Sequence, residues 1–144
     1  MRSWWRWGCV GLVALALSGC ARNTPEQHLR ATIASLQASI EARQTSAVKQ
    51  VLAADFVGPD GLDRDGAVRL ALAMFLRHRD VGVSIGPLQV QMQERNATVR
   101  FDVALTGGSG DLLPDAARLY SVETGWRLEN GDWRLTSAQW TPRL

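Results

Sequence analysis

Four apolar positions, Leu29, Ile33, Leu36 and Ile40, follow one another at spacings of four, three and four. That is the stripe of a helix with one buried face. Thr24-Pro25-Glu26-Gln27 supplies its start, with Thr24 as the cap, Pro25 at the first helical position and Gln27 completing a capping box. The spacing predicts a helix to about Arg43. A second, short helix is expected after Thr45, carrying Val48, Val51 and Leu52. Ala54 to Gly66, ADFVGPDGLDRDG, reads as turns around one buried Phe56. A third helix is expected from about Asp65 to Arg79. Its stripe of Val68, Ala71, Leu72, Phe75 and Leu76 is widened by Leu70 and Met74, which predicts cover on more than one side.

From Val81 the period changes to two. Leu88, Val90 and Met92 alternate with glutamines, as on a half-buried strand. After a turn at Glu94-Arg95-Asn96, the positions Ala97, Val99, Phe101, Val103 and Leu105 alternate with Thr98, Arg100 and Asp102. Gly107 to Ala116 reads as a long loop. Asn130-Gly131 is a strong signal for a two-residue type I′ hairpin turn. Strict alternation on either side of it pairs Leu128 with Trp133, Trp126 with Leu135 and Thr124 with Ser137, all on one face with Tyr120 and Val122. Arg127, Glu129, Asp132 and Arg134 fall on the other face. Helices first and antiparallel strands afterwards predict an α+β domain with N-terminal helices packed on a curved antiparallel sheet.

The segment before the first helix has a different pattern. Met1 to Trp7 carries Arg2 and Arg6 and no acid, and Val10 to Leu17 is an unbroken apolar block of eight residues. Such a block is the length of a signal-peptide core and too short to cross a bilayer. It ends on Leu17-Ser18-Gly19-Cys20, which resembles the lipobox of bacterial lipoproteins. The resemblance implies removal of residues 1–19, lipidation of the Cys20 thiol and acylation of the new amine. Several acyl chains anchor a protein stably where one does not. Ala21, rather than aspartate, follows the cysteine, which by the same resemblance favours the outer membrane, facing the periplasm. The expected organisation is a leader over 1–19, a lipidated cysteine and short tether over 20–24, and one domain over 25–144. The linker before Thr24 spans roughly 10–15 Å at most.

Charge and cysteine content narrow the chemistry. Over 144 residues there are 16 basic and 14 acidic side chains. Arg2 and Arg6 leave with the leader, so the two counts become equal and no basic stripe remains for nucleic acid. The other cysteine, Cys9, also leaves with the leader, and with Cys20 lipidated no thiolate remains for redox chemistry or a metal. Gly61 to Gly66 superficially suggests a calcium loop, but Gly61 and Leu72 stand where an EF-hand needs an acid and a glutamate. Asp63 or Asp65 reads instead as the cap of the third helix. No nucleotide, nucleophile-elbow or zinc-protease motif is present, and no cofactor is expected.

The N-terminal helix, the DFVGPDGLDRDG link and the closing hairpin TGWRLENGDWRLTSAQW together resemble the nuclear transport factor 2-like superfamily, also called cystatin-like or SnoaL-like. The resemblance covers Pro25 to Leu144 and implies a cone-shaped fold with a pocket between sheet and helices. Its members include ketosteroid isomerases, dehydratases, polyketide cyclases and many binding or assembly domains, so the fold alone assigns no reaction. Enzymes of the superfamily commonly carry an acid–base group inside the cone. The face expected to point inward offers Tyr120, Thr124, Ser137 and Gln139 instead. Asp102 is expected outside, beside Arg100. His28 and His78 are expected on the surface. Asp55, next to Phe56, and Tyr120 are the candidate catalytic groups. Val99, Phe101, Tyr120 and Trp126 are the expected pocket lining. The favoured function is a non-catalytic envelope lipoprotein binding a small apolar ligand, a second copy or another envelope protein. The alternative is a small isomerase, dehydratase or cyclase acting on an apolar substrate. Leu112-Leu113 is a candidate cap for the cone mouth or a contact for a second copy.

Overall fold

The computed structural model describes residues 23–108 and 116–143. Cys20 and Leu112-Leu113 lie outside the described residues. The first helix, α1, runs Pro25–Glu41, and its capping box is complete. The Thr24 hydroxyl accepts from the Gln27 amide at 3.1 Å, and the Gln27 side chain accepts from the Thr24 amide at 2.9 Å. A short α2, Thr45–Val51, leads without a loop into β1, Leu52–Val57. A single turn at Pro59–Gly61 precedes α3, Arg64–Arg77, which Asp63 caps through its carboxylate on the Gly66 amide at 2.7 Å. The strands β2 (Asp80–Ile85), β3 (Gln89–Met92), β4 (Asn96–Gly108), β5 (Ala116–Glu129) and β6 (Asp132–Arg143) complete the chain.

The sheet has six strands in the order β1-β6-β5-β4-β2, with β3 also pairing along β4. Every pairing is antiparallel except that of β1 with β6. The sheet is therefore mixed rather than wholly antiparallel. Leu29 and Ile33 of α1 close the core against Val99, Ala97, Trp126, Trp133 and Leu135. Trp133 is 1% exposed, and its indole N–H donates to the Pro25 carbonyl at 3.1 Å, which ties the start of α1 to the β5–β6 hairpin. At the other end of α1, Arg43 takes a left-handed φ of 55° and donates to the Phe75 and His78 carbonyls, both at 3.3 Å. That arginine satisfies the open carbonyls at the end of α3. Among the described residues, no helix is long and apolar enough to cross a membrane.

Three expectations are corrected. Leu52 to Val57 is a strand, not the end of a helix followed by turns, and Phe56 is its buried anchor. The β5–β6 hairpin begins in the expected register, with Asn130 and Gly131 at φ of 51° and 83° and with Leu128 opposite Trp133 and Trp126 opposite Leu135. The register then shifts, so that Gly125 faces Ser137 and Thr124 faces Ala138. A β-bulge inserts Thr136 there. Beyond it Ala138 faces inward and Ser137 and Gln139 do not. Gly125 permits the bulge, because a Cβ there would stand 2.5 Å from the Ser137 hydroxyl. Finally, α3 is not covered on several sides. Only Phe75 is buried, and Leu72 and Leu76 are 45% and 80% exposed.

Candidate functional site in the cone

A cavity of about 380 Å³ lies between the helices and the inner face of the sheet. Leu36 and Ile40 of α1, Val48 of α2, Phe56 of β1 and Ala67, Ala71, Met74 and Phe75 of α3 form its helical side. Leu105 of β4, Tyr120 of β5, and Leu135, Ala138 and Trp140 of β6 form the floor. The bulge matters here, because it is what brings Ala138 and Trp140 to the inner side. The lining is overwhelmingly aliphatic and aromatic, the usual composition of a small-molecule pocket.

The polar groups sit at one end. In the β4–β5 ladder Gly107 lies opposite Ala116, Leu105 opposite Arg118, and Val103 opposite Tyr120. Arg118 and Tyr120 therefore share the face of Leu105. The His78 ring covers Gly107 so closely that a Cβ there would stand 2.8 Å from Nδ1. Only a glycine leaves that space. His78, Arg118 and Tyr120 thus meet the cavity at its β4–β5 end. Thr106 also borders it, but its hydroxyl lies over Gly82.

His78 was expected on the surface and is half-buried in the cavity wall. The physical reason is that α3 ends at Arg77. His78 has extended φ and ψ of −119° and 124°, so the helical phase that would send it outward no longer applies. Tyr120 lines the cavity. Val99 and Trp126 do not; both are sealed into the core cluster with Leu29 and Ile33, at 0% and 3% exposure. Phe101 packs against that core and borders a depression between Pro87 and Gln139 instead. Thr124 is buried and internally satisfied, donating to the Val99 carbonyl and accepting from the Trp126 indole. His28 is in the first turn of α1, away from the cavity.

Asp55 is placed on the outside, 66% exposed, where Arg127 grips both its oxygens at 2.8 and 3.1 Å. The same guanidinium binds Glu129. Hydrogen bonds from Arg127 hold the Asp55 carboxyl below its ordinary 3.8. The Arg127 guanidinium is shifted upward by the hydrogen bonds to Asp55 and then Glu129. Asp102 also faces outward, but its partners are Ser121 and Arg143, at 2.8 and 2.6 Å. Arg100 pairs with Glu123 instead. Among the described residues, no three metal-binding side chains gather.

No family model matches the sequence, and no curated protein matches it. Solved structures do match. A protein from Novosphingobium aromaticivorans, provisionally named a scytalone dehydratase, superposes with a TM-score of 0.75 over 83% of this chain and 84% of its own, at 11% identity. The chain has the nuclear transport factor 2-like fold. A nuclear transport factor 2-like protein from Cytophaga hutchinsonii matches with a TM-score of 0.69 over 84% of this chain and 100% of its own, at 12% identity. A nuclear transport factor 2-like protein from Streptomyces avermitilis, provisionally named a dehydratase, matches with a TM-score of 0.70 over 84% and 99%, at 16% identity. Such identities carry the cone and not its chemistry.

Proposed function

We propose that this chain is an envelope lipoprotein, anchored through Cys20, whose cone holds a small apolar ligand without converting it. The cavity supports this reading: about 380 Å³ of space walled by aliphatic and aromatic side chains. That is the small end of the roughly 300–1,000 Å³ range of ligand sites. The lipobox at Leu17 to Cys20 supports the anchor. Native mass spectrometry tests the ligand. The chain from Ala21 carries every residue of the core cluster, which lies between Leu29 and Ala138. Exported to the periplasm, it is expected to carry a reproducible added mass. A bare mass would replace the ligand-binding reading with an assembly role.

The second reading is a small isomerase or dehydratase, and one observation favours it: His78 and Tyr120 share the cavity wall. His78 would take the proton and Tyr120 would donate a hydrogen bond to the substrate oxygen. Asp55 has no part in this, being outside and engaged with Arg127. His78→Ala separates the readings. A dehydratase would then retain substrate, heavier by one water than the product it otherwise holds, and an isomerase would retain the unconverted isomer, told apart by chromatography of the released ligand, whereas a binding protein would retain the same ligand.

A further inference from the structure

The cavity's polar groups are not scattered. The β4–β5 ladder places Arg118 across from Leu105 and Tyr120 across from Val103, and His78 covers Gly107 at the same end. The walls away from that end are apolar, from Leu36 and Ile40 to Phe56 and Phe75. Arg118 is solvent-exposed where it borders the cavity, and its guanidinium is cationic at any ordinary pH. No carboxylate from the described residues lines the cavity. A neutral hydrocarbon would use the walls and leave this end unmatched.

We infer that the cone takes an acidic amphiphile, its apolar body among the helices and its carboxylate at the Arg118–Tyr120 end. This rests on the ligand-binding reading above and specifies its chemical class. Arg118 pairs with the carboxylate, and the Tyr120 hydroxyl donates a hydrogen bond to it. Both are charge-assisted contacts, stronger than those a hydroxyl head would make.

Three probes of one chain length test this: dodecanoate, dodecanol and dodecyltrimethylammonium, each below its aggregation limit. They are titrated into the chain from Ala21 at about pH 8, where the acid is ionised and an ordinary histidine is neutral. Trp140 on the cavity floor reports occupancy by its fluorescence. The acid is expected to bind roughly tenfold more tightly than the alcohol, with the cation weakest. Arg118→Gln is expected to bring the acid down to the affinity of the alcohol and leave the alcohol unchanged, while Arg118→Lys keeps part of the preference. Equal binding of acid and alcohol to the unaltered chain would overturn the inference and leave the apolar cavity standing as a site. No binding of any probe would overturn the ligand-binding reading itself.

Discussion

At the scale of single residues, the site depends on what Gly107 lacks. The His78 imidazole lies where a Cβ would be, so Gly107→Ala is expected to push the ring out of the wall. The NMR signals of the His78 ring in both proteins would show the change, and unaltered signals would mean that His78 is not held by that contact. Asp55 gives a second prediction. Arg127's hydrogen bonds lower its folded pKa below 3.8, so the pair's contribution is present at neutral pH and is lost as the pH falls through the lowered value. In Arg127→Ala the Asp55 titration is expected to move back up to the ordinary carboxylate range, read by carboxyl NMR. The sequence shows Tyr120 facing inward, because alternation along β5 is unbroken there. It does not show His78, since Arg77 and Arg79 on either side read as solvated helix. Only the end of α3 one residue earlier turns the ring inward.

At the scale of elements, α3 is two surfaces in one helix. Phe75 is 7% exposed and Leu76 is 80% exposed, though both are large and apolar. Phe75→Ala is expected to cost about 3–5 kcal/mol in urea denaturation, the usual penalty for emptying a buried aromatic site. Leu76→Ser is expected to change stability by less than about 0.5 kcal/mol. Equal losses from the two would mean that something covers Leu76. Helix periods, the Thr24 capping box and the Asn130-Gly131 turn were all legible, since each is local. What was not legible depends on partners far along the chain. The strand β1 is six residues joined directly to α2, and it exists because β6 offers a parallel edge. The bulge left a trace that strict alternation overlooks: the buried positions on β6 run Trp133, Leu135 and then Ala138, one residue too far. That single residue moved Ser137 and Gln139 out of the candidate site and replaced them with apolar side chains.

For the whole molecule, the fold is settled by its match to known cones, and the proposed anchor can be tested apart from it. In Cys20→Ala the chain is expected to lose its lipid and leave the membrane fraction, which cell fractionation and labelling with a fatty-acid analogue would read. A protein that still sediments with the membrane would rule out Cys20 as the anchor. The proposed anchor rests on four residues of sequence, because a signal of that kind would be read before the chain folds. The sequence could not announce a cavity, which exists only once three helices and five strands have closed around it.

Both ends of α1 are tied to other elements. Trp133 holds its first residue, and Arg43 joins the turn beyond its last to the end of α3 beside His78. At 1.5 Å per residue its 17 residues form a rod of roughly 25 Å. With lipid at Cys20, that rod is a mast. Its foot would then lie within a short tether of the bilayer, and the His78 end of the cavity, beside the Arg43 turn, would be held up to the length of the rod away from it.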